Sequence, residues 1–170
     1  RILPGGRILD LGCGIGRLTE RIALLCPETE VVGLDVSPAM IRLACDSPTR
    51  PPNVTYWIGD GRTIPDDPAI RGFDAVYSML TFQHLDEETV AGYLRSVGRV
   101  LEEGGRFRFQ WTVDGEDAPF HHNHAPDRIL DWCRWADLGT SPSDDPGEDP
   151  VVVDGRYPTW RWLTATRRWQ

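Results

Sequence analysis

The sequence predicts an α/β domain with a doubly wound, mostly parallel sheet, and three observations predict it. Short apolar runs alternate with amphipathic helical stretches from residue 7 to residue 110, the pattern that packs helices on both faces of a parallel sheet. A glycine-rich turn joins the first strand to the first helix, and an acidic residue ends the next strand. At 170 residues and 19.2 kDa the chain has the size of one ordinary domain. That length buries roughly 70% of the unfolded surface without help from disulfides or metals.

Arg7–Leu11 is a short apolar run flanked by glycines, as expected of a buried parallel strand. Gly16 to Cys26 places Leu18, Ile22 and Leu25 at helical spacing, and Pro27 stops it. Glu30–Asp35 reads as the second strand. Ser37-Pro38 then supplies an N-cap and a first helical residue for a helix through Met40, Ile41 and Ala44. A third strand runs over Asn53–Ile58 and a fourth over Phe73–Met79. From Asp86 to Leu101 a long helix carries Val90, Leu94, Val97 and Leu101 on one face, and Glu103-Gly104-Gly105 ends it. Arg106–Gln110 alternates into a fifth strand. Beyond Trp111 the pattern weakens to a helix over Asp127–Asp137, an acidic loop over Ser141–Pro150 and a strand-like alternation over Thr159–Thr166.

Hydrophobic residues at 40% and charged residues at 26% describe a soluble globular chain and exclude long disorder. No run approaches the ~18 apolar residues of a membrane span, and no basic-then-apolar leader precedes the first motif. The net charge is −8, and all 18 basic residues are arginine. An acidic chain without a basic stripe is a poor match for a nucleic-acid or anionic-membrane partner. Cys13, Cys26, Cys45 and Cys133 are scattered without metal-ligand spacing, which fits a reduced, cytoplasmic setting. The chain starts at Arg1 rather than Met, as expected of a fragment, an excised domain or a processed product.

The glycine turn, Asp10-Leu-Gly-Cys-Gly-Ile-Gly16, is where chemistry is expected. Glycines at 12, 14 and 16 let the backbone turn tightly and approach a ligand closely. Asp35 ends the second strand at about the spacing of an acid that takes ribose hydroxyls. A dinucleotide site wants G-x-G-x-x-G, and the third glycine position here is Arg17. The turn therefore suits an adenosine ligand without phosphates, with Asp60-Gly61 after strand three as a second polar corner.

Four segments then carry a family resemblance: ILDLGCGIGRLTERIA (8–23), VVGLDVSPAMIRLA (31–44), VTYWIGDGRTIP (54–65) and FDAVYSMLTFQHLDEETVAGYLRSVGRVLEEGGRF (73–107). In order and spacing they resemble the motifs of class I S-adenosylmethionine-dependent methyltransferases. The resemblance implies a Rossmann-like doubly wound sheet, mostly parallel with a C-terminal antiparallel hairpin, in one domain over 1–170 with its core at 7–110. It implies S-adenosylmethionine as cofactor. Asp10, Gly12, Cys13, Gly14 and Gly16 would form the turn that cradles the methionine part, and Asp35 would hold both ribose hydroxyls. Val36 and Met40 would pack near the adenine. Asp60 would accept from its amino group, the backbone of Gly61 would donate, and Ser78 and Met79 would line the pocket at strand four. His84, just beyond strand four, is the candidate general base if the acceptor must lose a proton early.

Plainer roles compete at several positions. Cys13 fits a small packing residue better than a nucleophile. His121-His122-Asn123-His124 reads as a polar substrate-side loop rather than a metal site, because adjacent histidines point to different faces and no acids are spaced for it. Trp160 and Trp162 read as core or edge packing of the last strand, while Trp111 would lie over the acceptor region. Ser78-Met-Leu-Thr81 lacks the Asn/Asp-Pro-Pro-aromatic motif that grips an amino group in adenine or glutamine, and no Pro-Cys pair exists for cytosine methylation. A small-molecule acceptor is the expectation that remains. Other readings are a nicotinamide-dependent oxidoreductase and a non-catalytic cofactor-binding fragment. The second has weight because family members usually carry helices before strand one, which here begins at Arg7.

Overall fold

The computed structural model describes residues 5–113, 121–140 and 160–168. Strands β1 (Arg7–Leu11), β2 (Glu30–Asp35), β3 (Val54–Ile58), β4 (Phe73–Ser78), β5 (Leu101–Thr112), β6 (Leu138–Thr140) and β7 (Trp160–Arg167) form one sheet of order β3-β2-β1-β4-β5-β7-β6. The first five are mutually parallel, and β7 runs antiparallel between β5 and β6. Chain order reverses direction beside β1, so β1 and β4 diverge at a switch point, where open α/β sheets bind ligands.

Helices α1 (Arg17–Leu25), α2 (Pro38–Cys45), α3 (Glu87–Val100) and α4 (Pro126–Trp135) connect or flank these strands. The predicted Ser37 cap forms, accepting from the Met40 amide, and Asp86 caps α3 by accepting from the Thr89 amide at 2.8 Å. The larger core joins Leu9, Leu11, Val76, Phe107 and Phe109 of the central strands to Val90, Leu94 and Val97 of α3 and Ile129 of α4. Phe107 and Phe109 stack at 4.5 Å between ring centroids.

Three expectations are corrected. The buried face of α1 is Thr19 and Ala23, with Ile22 half-buried and Leu25 exposed at 66%. The Thr19 hydroxyl donates to Asp10 at 2.6 Å, and Ala23 with Ile22 packs on a smaller core of Ile8, Val31 and Val54. Helix α3 stops at Val100, and Glu103-Gly104-Gly105 lies inside β5 as an irregularity in its pairing with β4. A side chain at Gly105 would press on the carbonyls of Glu102 and Phe73, so the glycines serve strand geometry rather than a helix end. Trp111 is buried in the core and donates its indole N–H to the His124 carbonyl at 3.1 Å, so it does not lie over an acceptor. Strand β6 had no expectation, whereas the hairpin pairing of β7 did. The acidic loop over 141–150 lies outside the described residues.

Candidate functional site

The glycine turn is built by backbone bonds that use the strand beside it. The amides of Gly12 and Cys13 both donate to the Leu34 carbonyl of β2, at 2.8 and 3.1 Å. Gly12, Gly14 and Gly16 all have positive φ, at 79, 55 and 79°, a conformation that costs an L side chain roughly 1 kcal/mol or more. Their neighbourhoods differ. A Cβ at Gly12 would run into the side chain of Thr81, and one at Gly16 into the Tyr56 ring and hydroxyl. At Gly14 nothing lies within 4 Å, so the turn presents bare backbone to open space there.

That open space is a cleft of about 270 Å³ lined by Asp10, Gly12, Cys13, Gly14, Ile15, Arg17, Leu18 and Met79. It lies at the carboxyl ends of β1 and β4. Asp10, at its base, is 2% exposed; burial, together with the nearby Asp35 charge, pushes its carboxyl up to about 6 despite the Thr19 hydroxyl bond. Burial first, then the charges of Asp10 and Asp35, push the Cys13 thiol well above its ordinary range. A raised thiol pKa disfavours the nucleophilic thiolate, and Cys13 lines the cleft as part of the turn.

Asp35 closes the turn from the next strand. Its Oδ2 accepts from the Gly14 amide at 2.8 Å and its Oδ1 from the Ser37 amide at 2.9 Å. Each carboxylate oxygen keeps further acceptor capacity. Beyond Asp35 lies an apolar shelf: Val36, Met40 and Ile58 are exposed at the ends of β2 and β3 and the start of α2. Gly61, at φ 77°, comes so close to Val36 that a Cβ would meet its Cγ2.

Two predicted residues also hold the scaffold. Asp60 is exposed and closes its own turn, accepting from the amides of Arg62 and Thr63 at 2.8 Å each and from the Thr63 hydroxyl. These bonds hold its carboxyl below the usual carboxylate range. Ser78 is fully buried and donates its hydroxyl to the Leu11 carbonyl at 2.8 Å, so its side chain ties β4 to β1 instead of lining the cleft. Met79 does line it.

His84 ends a short 3₁₀ turn, Phe82–His84, and lies outside the cleft lining. Its Nε2 is 3.0 Å from the Gln83 amide nitrogen, so the ring nitrogen accepts. The histidine segment after β5 braces this turn. The His122 amide donates to the Gln83 carbonyl at 2.7 Å, and His124, buried, approaches the Phe82 carbonyl through Nε2 at 3.3 Å. Burial lowers the His124 pKa below the ordinary imidazole value. Among the described residues no three His, Cys, Asp or Glu side chains are grouped as metal ligands.

Sequence reasoning missed Tyr56, Thr81, Ile15, Arg17 and Leu18 as parts of this site. Ile15, Arg17 and Leu18 were within reach, since Ile15 sits in the turn and the other two open α1 directly after it. Tyr56 and Thr81 carry no local signal, because they meet the turn from β3 and from the segment after β4. Leu80 was also unforeseen; at φ 57° it holds a backbone conformation rare for leucine at the mouth of β4.

An open α/β sheet with a glycine turn, a bare-backbone cleft at the switch point and an acid on the neighbouring strand defines a nucleotide-type ligand-binding domain. The chain belongs to the methyltransferase domain family, whose model matches residues 8–105. It is 31% identical over 127 residues to trans-aconitate 2-methyltransferase of Deinococcus radiodurans, covering 75% of this chain and 43% of that protein. It is 29% identical over 103 residues to malonyl-[acyl-carrier protein] O-methyltransferase 1 of Ilyobacter polytropus, covering 60% of this chain and 36% of the relative. The chain thus spans less than half the length of these relatives. In fold it resembles a TehB-like SAM-dependent methyltransferase from Corynebacterium glutamicum, with a TM-score of 0.72 at 20% identity over 98% of this chain and 82% of the other.

Proposed function

We propose that this chain is the cofactor-binding, catalytic domain of an S-adenosylmethionine-dependent methyltransferase that acts on a small-molecule acceptor. The carrying observation is the pairing of Gly14, whose Cβ direction opens onto the cleft, with Asp35, whose carboxylate borders that turn. The residues fit the cofactor. Gly14 offers bare backbone to its methionine part in a cleft that Gly12 also lines, Asp35 has acceptor capacity for ribose hydroxyls, and Val36 and Met40 form an apolar shelf for adenine beside Gly61. Asp60 serves the adenine end by holding the Gly61–Thr63 turn.

Bound S-adenosylmethionine supplies a methyl group already activated by its sulfonium centre. The protein's own task is to orient an acceptor toward the cleft, exclude water and, where the acceptor needs it, remove a proton. His84 is the residue we assign to that proton, since it sits on the turn directly after β4. A small acceptor accords with the relative named for trans-aconitate. The net charge of −8 speaks against a nucleic-acid acceptor. Four free cysteines accord with a cytoplasmic setting, and among the described residues no helix is long and apolar enough to cross a membrane. One sheet uniting β1 to β7 supports a single domain over 1–170.

Calorimetric titration with S-adenosylmethionine, S-adenosylhomocysteine and NAD tests the reading. Micromolar-range binding of the first two and none of NAD is expected, on the order of typical cofactor affinities. NAD binding alone sinks it, and Arg17 at the third glycine position is the reason to expect otherwise.

A further inference from the structure

Far from the glycine turn, at the opposite end of the sheet, a second cleft of about 250 Å³ opens between α3, α4 and the end of β7. Four of its eight lining residues are arginines, Arg95, Arg99, Arg167 and Arg168, with Asp137 the one acid among them. A chain with net charge −8 repels anions in general, so four guanidinium groups converging on one concavity reverse the local field.

Helix polarity accounts for only part of this. Arg99 lies in the last turn of α3, where a cation complements the carbonyl end, and it also binds Asp66 and the Ile64 carbonyl. Arg167 is anchored on the Leu101 carbonyl. Arg95 lies a turn earlier in α3, exposed, and only its Nε is engaged, with the Ala91 carbonyl at 3.3 Å. The Arg168 side chain forms no hydrogen bond or ion pair with any described residue. It lies over Gly139, where a Cβ would come within 3.3 Å of its Nε, so the glycine leaves room for it. At the mouth stands Trp135, 70% exposed, the most exposed large apolar side chain described. Free guanidinium forks bind phosphate bidentately, and an exposed indole beside them offers a stacking face to a planar ring.

We propose that this cleft is an anion site for a nucleoside phosphate, its phosphates on Arg95 and Arg168 and its base against Trp135. Arg99 and Arg167 add charge from fixed positions. The site is separate from the proposed cofactor cleft and independent of its assignment.

Titration calorimetry with sodium tripolyphosphate and with UTP, whose base is not adenine, tests this on the full chain. Both bind, UTP more tightly. In the double variant Arg95→Glu/Arg168→Glu, two exposed positions, both ligands lose affinity by roughly tenfold or more, and raising salt weakens wild-type binding. Trp135→Ala removes the advantage of UTP over tripolyphosphate. Circular dichroism and thermal melts of the variants that match wild type separate loss of the site from loss of the fold. Absence of binding to wild type, undiminished binding to the charge-reversed variant, or a UTP advantage that survives Trp135→Ala overturns the proposal.

Discussion

The carboxylate of Asp35 accepts a hydrogen bond from the backbone amide of Gly14 at 2.8 Å, across 21 residues of sequence. One side chain thus both shapes the glycine turn and borders the surface where a ligand would lie. Asp35→Ala removes both contributions. Affinity for S-adenosylhomocysteine falls by roughly tenfold or more, in line with loss of charge-assisted hydrogen bonds worth about 1.5–3 kcal/mol each. Unchanged affinity by calorimetry would mean that Asp35 does not face the ligand.

Gly14 and Gly16 separate ligand space from packing. Gly16→Ala forces a side chain into Tyr56 at positive φ and lowers stability by about 2–4 kcal/mol. Gly14→Ala meets no neighbour and costs only about 1 kcal/mol of backbone strain, yet it weakens S-adenosylhomocysteine binding. Thermal melts with calorimetry distinguish the two, and equal destabilisation would remove the reason to see a ligand at Gly14.

Asp10 carries a pH signature. Its folded pKa, about 6, lies above the ordinary 3.8, so the native state holds the proton more tightly than the unfolded chain. That contribution is fully present below about pH 4 and is lost as pH rises through 6, an effect on the order of 2–3 kcal/mol. Asp10→Asn keeps an acceptor for Thr19 without the charge. The stability of the variant relative to wild type should therefore rise between pH 4 and pH 7 in urea titrations; a constant gap across that range contradicts the buried-charge reading.

His84→Gln tests the proton role. If His84 removes the acceptor's proton, kcat falls by about 10²-fold or more while S-adenosylhomocysteine affinity holds. A lower affinity with unchanged kcat would make His84 part of the binding wall instead.

Much of the scaffold was legible in the chain. Five apolar runs, the Ser37-Pro38 cap and the order of β and α patterns predict the parallel sheet, because period and capping are local properties. The turn residues Gly12, Gly14 and Gly16 and the acid Asp35 were legible for the same reason: their spacing within one βαβ unit places them together.

What those residues do next to each other was decided only by the tertiary structure. Ser78 looked like a cleft residue but spends its hydroxyl on Leu11 in the neighbouring strand. Thr19, polar in a helix, lies on its buried face with Ala23, its hydroxyl donating to Asp10. Tyr56, Thr81 and the arginine cleft between α3, α4 and β7 announce themselves nowhere in the sequence. Local sequence sets backbone period and turn chemistry; long-range contacts choose which side chains face a cleft and which are consumed in holding the sheet together.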